Sequence, residues 1–304
     1  MRRLEDEARI GLLPESGGMR EVPAWHIAAA GQAAVDERCW VMEEQALFVE
    51  VVDAGTYTLM WTRTDAAAAS GFLAADGVLG DQVEPDALAL TAGFLFTEGM
   101  IEHMADVAQM SVCADAPNVV RVRLGDSAPR RGNNRRGGFI ASSCGVCGSV
   151  DDIADLRTGL PRVPDTLRIE SSLLQQMTAA MERRQFIHRT TGGTHAAALF
   201  TPGASLLSAA EDLGRHNALD KAIGKCLLRG YPTTGCGAIL SSRISLELIV
   251  KAARAGIEIV AAVSAPSSLA VEAAQQLGIT LCGFVRDGRA TIFSHPHRLV
   301  WLQN

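Results

Sequence analysis

From about residue 186 onward, short apolar runs alternate with longer stretches of helical character. The runs predict strands at 196–200, 205–209, 237–242, 257–263, 279–285 and 289–294, with helices over 217–229, 245–255 and 267–277 between them. Alternation of this kind predicts βαβ crossovers and a buried, largely parallel sheet. Asn217, with Asp220 three residues on, and Ser245 are suited to start helices, and Gly230, Gly256 and Gly278 to stop them. The first half differs. Val, Phe, Tyr, Thr and Trp are enriched over 39–52 and 56–63, which predicts strands there, and further strands are expected at 107–112 and 118–124. Pro85 opens a helix over 86–98 whose Leu88, Leu90, Phe94 and Leu95 pack inward. Another helix is expected at about 170–184.

These patterns divide the chain into a peripheral N-terminal extension (1–37), an α+β region (38–165) and an α/β domain (166–304). The Gly/Ala/Asp-rich stretch 65–84 reads as an insertion or long loop. The formal charge of −6 argues against a general nucleic-acid binder. The N-terminus lacks the apolar core of a signal peptide, and no run approaches a membrane span. Seven cysteines, odd in number and mostly in apolar stretches, fit a reducing cytoplasm better than a secreted disulfide scaffold.

Ser142 to Gly148 places Cys144 and Cys147 three positions apart among glycines, after Arg130, Arg131, Arg135 and Arg136 in a basic loop, 125–138. Positive charge lowers a thiol's pKa, and the thiolate is the form that attacks sulfur or binds metal. Three chemical readings stay open on the residues alone, beside a structural one of two buried thiols. A zinc half-site needs two more ligands, and the chain has no second CxxC and no HxxxH. A thioredoxin-type pair would carry an aromatic residue or proline where glycine stands here. Nucleophilic sulfur transfer needs exposure, a lowered pKa and mobility, and Gly145 and Gly148 supply the last.

Other candidates sit at predicted strand ends. Thr191 to His195 includes Gly192 and Gly193, which suit close backbone approach to a ligand. Glu211 to Asn217, with Arg215 and His216, lies between a strand and a helix, where α/β active-site loops are found. Ser242 with Arg243, and Ser264 one crossover later, pair hydroxyls or a guanidinium with helix N-termini, a standard arrangement for anions. Phe284, Val285, Arg286, Asp287, Gly288 and Arg289 end the next strand with two arginines and a tight turn. Three such sites at successive strand ends predict one sheet edge that holds a ligand with more than one phosphate.

Together, Ala92–Gly99, Ser142–Gly148, Thr191–His195, Glu211–Asp220, Ser264–Leu269 and Gly283–Arg289 resemble the formate dehydrogenase accessory sulfurtransferase family, over roughly 40–295. The resemblance implies a cytidine-deaminase-like three-layer α/β/α core with a smaller β-rich α+β region before it, and a homodimer. It implies that sulfur is taken as a persulfide from a cysteine desulfurase. The sulfur then passes to the molybdenum (or tungsten) bis(molybdopterin guanine dinucleotide) that formate dehydrogenase requires. Cys144 matches the persulfide-bearing cysteine, Cys147 its companion, and Phe284–Arg289 the cofactor-binding segment. Two other readings stand beside this one. A non-catalytic carrier of the guanine dinucleotide needs only the phosphate loops. A zinc-dependent deaminase-type hydrolase needs an H-x-E element, which the chain lacks.

Overall fold

The structure, a computed structural model, describes residues 18–27, 35–64, 71–73, 85–129, 138–140, 159–203 and 205–301, with the backbone alone at 71–73 and 138–140. Strands β1 (Met19–His26) and β2 (Val35–Met42) pair antiparallel along their full length, and most of their side chains are exposed. This ribbon crosses the expected boundary at residue 37.

Strands β3 (Gln45–Val51) and β4 (Gly55–Trp61) form the next hairpin. Strand β5 (Gly71–Leu73) falls inside the stretch expected to be a loop. That expectation is corrected at those residues, which pair with β6 (Val107–Cys113); 65–70 and 74–84 lie outside the described residues. With β7 (Ala116–Leu124) and β8 (Gly138–Ile140) these strands make a six-stranded sheet ordered β5-β6-β7-β3-β4-β8. Helix α1 (Asp86–Thr97) covers it, packing Leu88 and Leu95 among Leu47, Val49, Leu59 and Val122. All of α1 except Phe96 is buried, because the second half of the chain packs on its other side.

That second half opens with β9 (Ile169–Glu170), α2 (Ser172–Glu182) and a short helix absent from the sequence pattern, α3 (Phe186–Thr191). It continues through β10 (His195–Phe200), β11 (Leu206–Asp212), α4 (Arg215–Leu228), β12 (Gly237–Leu240), α5 (Leu246–Arg254), β13 (Ile259–Ala262), α6 (Ser268–Leu277), β14 (Thr280–Arg286), β15 (Arg289–Ser294) and β16 (Leu299–Val300). The last strand pairs with β9. The main sheet is ordered β11-β10-β12-β13-β14-β15. Helices α4, α5 and α6 cover one face through Leu219, Ile223, Leu248, Ile249 and Ala273, and α2 covers the other, where Met177 and Met181 meet Phe200 and Ile239.

The expected largely parallel sheet is mixed instead. Only β12, β13 and β14 pair in parallel; β10 and β15 run against them, and β11 pairs antiparallel with β10. The reason lies in the connections: β10–β11 and β14–β15 are joined by short turns, and a short turn can only make antiparallel neighbours. A second correction concerns α4, which begins at Arg215 with Gly214 as its N-cap rather than at Asn217. The Asn217 amide instead donates to Met60 O at 2.7 Å and to Asp212 Oδ1 at 3.0 Å. The stops at Gly230, Gly256 and Gly278 stand, each with left-handed φ.

Two features join the halves. At the crossing of α1 and α4, a Cβ on Gly93 would lie 1.8 Å from Asp220 O, and one on Gly224 1.8 Å from Ala89 O, so the backbones touch with no side chain between them. Beside this crossing, fully buried Lys221 reaches Asp212 Oδ2 at 2.9 Å, Asp86 Oδ2 at 3.4 Å and Thr62 O at 2.6 Å, and lies 4.9 Å from the Trp61 ring centroid. Burial works against the ammonium, and the carboxylates of Asp212 and Asp86 more than reverse this, so Lys221 titrates above the usual lysine range. Burial likewise opposes ionisation of Asp86, yet Lys221, Lys225 and bonds from Thr64 hold its carboxyl well below the carboxylate range. One residue before Lys221 on α4, Asp220 pairs with Lys251 of α5 at 2.8 Å and accepts from Thr97 of α1 at 2.8 Å.

Candidate functional site

The sheet topology decides which candidates meet. Strands β12, β13 and β14 end at one edge; β10, running the other way, begins there, and β11 ends there. Gly192, Gly193, His195, Arg215, Ser242, Arg243, Ser264 and Phe284 to Arg289 therefore all fall at this edge. From His195 on β10 to Arg286 on β14 is three strand spacings, about 14 Å.

At the β10 end, Gly192 (φ 69°) closes α3 and turns the chain into the strand. A Cβ on Gly193 would lie 2.9 Å from Met42 Sδ, so this turn packs against the end of β2. Glu211 fixes the turn from beneath: its carboxylate accepts from Ile187 N, His188 N and Thr194 Oγ1 at 2.9–3.0 Å. His195 is half-buried beside Arg215 and Arg243. Burial, followed by the positive charges of Arg215, His188 and Arg243, pushes its imidazole below the usual histidine range. The ring is therefore uncharged at neutral pH. The Arg215 Nε is buried with no hydrogen-bond partner among the described residues.

In the middle of the edge, Ser241 Oγ accepts from Ala196 N at 2.8 Å, and the loops after β12 and β13 bridge at Ile244 and Pro266. Arg243 projects into solvent from this pair of loops. Ser242 does not: it is buried, and its hydroxyl donates to Arg243 O at 3.0 Å. His216 is also turned away, buried with its Nε2 3.0 Å from Glu247 Oε2 and 3.2 Å from Ser245 Oγ, where it ties α4 to the start of α5.

The β14 end is built around a close approach. Phe284 N donates to Ser264 O at 3.2 Å, and a Cβ on Gly283 would sit 3.0 Å from Pro266 Cδ and 3.1 Å from Ser264 O. Phe284 adopts φ 55° at a bulge, 40 % exposed, with its ring 6.4 Å from Phe293. Val285 is fully buried, while Arg286, Asp287, Gly288 and Arg289 are exposed. Arg286 and Arg289 are direct cross-strand partners around the two-residue turn Asp287-Gly288, both with positive φ (51° and 74°). Positive φ at both positions is the type I′ geometry that suits an Asp-Gly hairpin. It leaves two exposed guanidiniums facing each other, an arrangement that is unfavourable without an anion.

Cys144 and Cys147 lie outside the described residues, as do Arg130, Arg131, Arg135 and Arg136. Among the described cysteines, Cys226, Cys236 and Cys282 are buried. Burial pushes the Cys282 thiol up to about 12, and burial with Glu258 pushes Cys236 to about 11, which makes both poor nucleophiles. Among the described residues no cluster of three or more His, Cys, Asp or Glu side chains is placed to hold a metal, and no helix is long and apolar enough to cross a membrane. A cavity of about 170 Å³ lies behind β10 and β11, lined by Met181, Arg184, Phe186, Ile187, Glu211 and Lys225. Of the candidate segments from the sequence, only Glu211–Asn217 reaches it, through Glu211, and none of the arginines at the edge lines it. The sequence offered His188, with His195 and His216, only as a possible zinc ligand of no recognisable spacing. What it missed is the buried Lys221, because a lysine inside a helix reads by default as solvent-facing.

Comparison with known proteins agrees with this architecture. A crystal structure from Desulfotalea psychrophila, described as that of a formate dehydrogenase accessory protein, superposes with a TM-score of 0.67 over 93% of this chain and 100% of that one; at 20% identity this likeness is one of fold. The sulfur carrier protein FdhD of Thermoplasma acidophilum is 41% identical over 215 residues, covering 69% of this chain and 75% of its own. The protein of the same name from Streptomyces avermitilis is 39% identical over 225 residues, covering 70% and 80%. Residues 82–300, which hold the α1–α4 crossing and every segment of the sheet edge, match the family model, and the chain belongs to the FdhD/NarQ family.

Proposed function

We propose that this protein is a sulfur carrier serving formate dehydrogenase, and that it acts as a sulfurtransferase. The Cys144 thiolate attacks the outer sulfur of a cysteine desulfurase persulfide. A sulfur–sulfur bond forms on Cys144, the donor's bond breaks, and the donor leaves as a thiolate, with no net redox change. The substrate that receives the sulfur is the molybdenum (or tungsten) bis(molybdopterin guanine dinucleotide) destined for the client enzyme. For delivery, the Cys147 thiolate attacks the inner sulfur of the persulfide. A Cys144–Cys147 disulfide forms and sulfide leaves, the two thiols supplying the two electrons; a cellular dithiol then restores the pair. In this reading the protein works in the cytoplasm as a homodimer with a cytidine-deaminase-like core.

The observation that carries this reading is the convergence of Arg215, Arg243, Arg286 and Arg289 on one edge, beside the glycine turns at 192–193 and 287–288. A bis-guanine-dinucleotide brings two pyrophosphates, and a row of cations about 14 Å long matches a ligand with separated anionic centres. The like-charged pair Arg286 and Arg289 is relieved by such a ligand. Helices on both faces of the main sheet support the three-layer core.

The test is incubation of the protein with a cysteine desulfurase and cysteine, followed by intact-mass measurement. A gain of one sulfur atom that is lost in Cys144→Ala is expected. Absence of added sulfur while the desulfurase is itself loaded would reject the transfer reaction. A carrier that merely holds the guanine dinucleotide would activate its client equally well as Cys144→Ala, whereas the transferase loses that activity.

A further inference from the structure

His195 stands where two arginine-bearing elements meet. Arg215 approaches from the first turn of α4 and Arg243 from the loop after β12, and both act on the imidazole as positive charges. The α4 N-terminus adds its own partial positive charge. The acidic groups nearby are already engaged. Asp212, the register partner of His195 on β11, is held by Lys221, Gly214 N and Asn217 Nδ2, and Glu211 by Ile187 N, His188 N and Thr194 Oγ1. Neither of these carboxylates is left to balance the cluster, and the Arg215 Nε has no hydrogen-bond partner among the described residues.

We infer that His195, Arg215 and Arg243 form a single subsite for a nucleotide pyrophosphate, and that the imidazole takes up one proton from solvent as that anion binds. This deepens the nucleotide reading above and rests on it. The electrostatics supply the coupling. Burial holds the imidazole neutral, and the two guanidiniums add to this. An anion set among them cancels that repulsion and offers the ring N–H an acceptor, both of which favour imidazolium. The histidine then contributes a third charge only when a ligand is present. The sign follows by linkage: binding tightens as pH falls, and it weakens as pH rises through the pKa of the complex, by at most about tenfold per pH unit for one proton.

The probe is diguanosine pyrophosphate, whose phosphates do not titrate near neutrality. Binding is measured by calorimetry at pH 7 in buffers of different ionisation enthalpy. The wild-type protein is expected to take up as much as one proton per ligand. His195→Gln is expected to bind several-fold more weakly, with no proton uptake and no pH dependence. Binding without uptake in the wild type, or equal uptake in His195→Gln, overturns the subsite while leaving the nucleotide reading intact. No binding at all overturns both. Arg243→Gln gives a second measure that does not depend on how the histidine variant folds, because Arg243 is exposed. The His195 titration followed by NMR in the ligand-free protein should move upward in that variant, and an unmoved titration would separate the two residues and sink the cluster.

Discussion

Lys221 illustrates what a single residue does here. Its ammonium is fully buried and bonded to groups from three places: Thr62 after β4, Asp86 at the start of α1, and Asp212 at the end of β11. Removing one partner of such a cluster leaves uncompensated charge in the interior and typically costs about 3–5 kcal/mol. Lys221→Met is therefore expected to lose about that much stability in denaturant titrations; a loss under about 1 kcal/mol would mean the cluster is not ionised. Asp86 adds a pH signature. Its folded pKa is depressed, so its contribution is complete above the unfolded carboxylate value, near 4, and declines as pH falls below that. Thermal melts across pH 3–6 should show the wild type losing stability towards the acid end faster than Asp86→Asn. Residues of this kind were hard to read from the sequence. Asp212 and Arg215 were visible as a dense polar loop, but that loop divides by function: Glu211, Asp212 and Asn217 brace the fold, and Arg215 reaches the edge. Only packing separates the two groups.

Elements were more legible than their partners. The helices at 86–98, 217–229, 245–255 and 267–277 appear within a few residues of their predicted limits, because apolar runs, Pro85 and the three stop glycines are local signals. Pairing direction was not local. The antiparallel position of β10 between β11 and β12 depends on a crossover that no periodicity records. The α1–α4 crossing is similarly invisible, since a glycine inside a helix reads as a cost rather than as a contact. Its structural meaning is testable. Alanine at Gly93 or Gly224 gains helix propensity of about 1 kcal/mol in isolation, but here its Cβ would meet a carbonyl oxygen at 1.8 Å. Each substitution is expected to destabilise by more than about 2 kcal/mol, overpacking outweighing propensity. A stabilised variant in thermal melts would show that the helices can move apart freely.

At the scale of the whole molecule, the two sheets and their helices share the α1–α4 contact and the buried charges around Lys221 and Lys251. Halves that share buried charges and a backbone contact are expected to unfold as one unit. Trp61, buried at the junction, reports on that interface, while far-UV circular dichroism reports on the helices of the second half. The two transitions are expected to coincide in denaturant; separate midpoints would mean independent halves. The sequence resolved the overall plan well for residues beyond 85, where apolar rhythm and glycine punctuation agree. It resolved the candidate edge as a set of segments, and the topology then brought them together.

The bare crossing of α1 and α4 carries a mechanical consequence. With peptide groups in direct contact there is no side chain to rotate or repack, so these two rods cannot slide along each other without steric collision. Arg215 rides on the end of one rod, which makes its position a fixed reference against which the rest of the rim can shift. Breathing that accompanies the entry and departure of a guest is therefore not a matter of the axle that spans both halves.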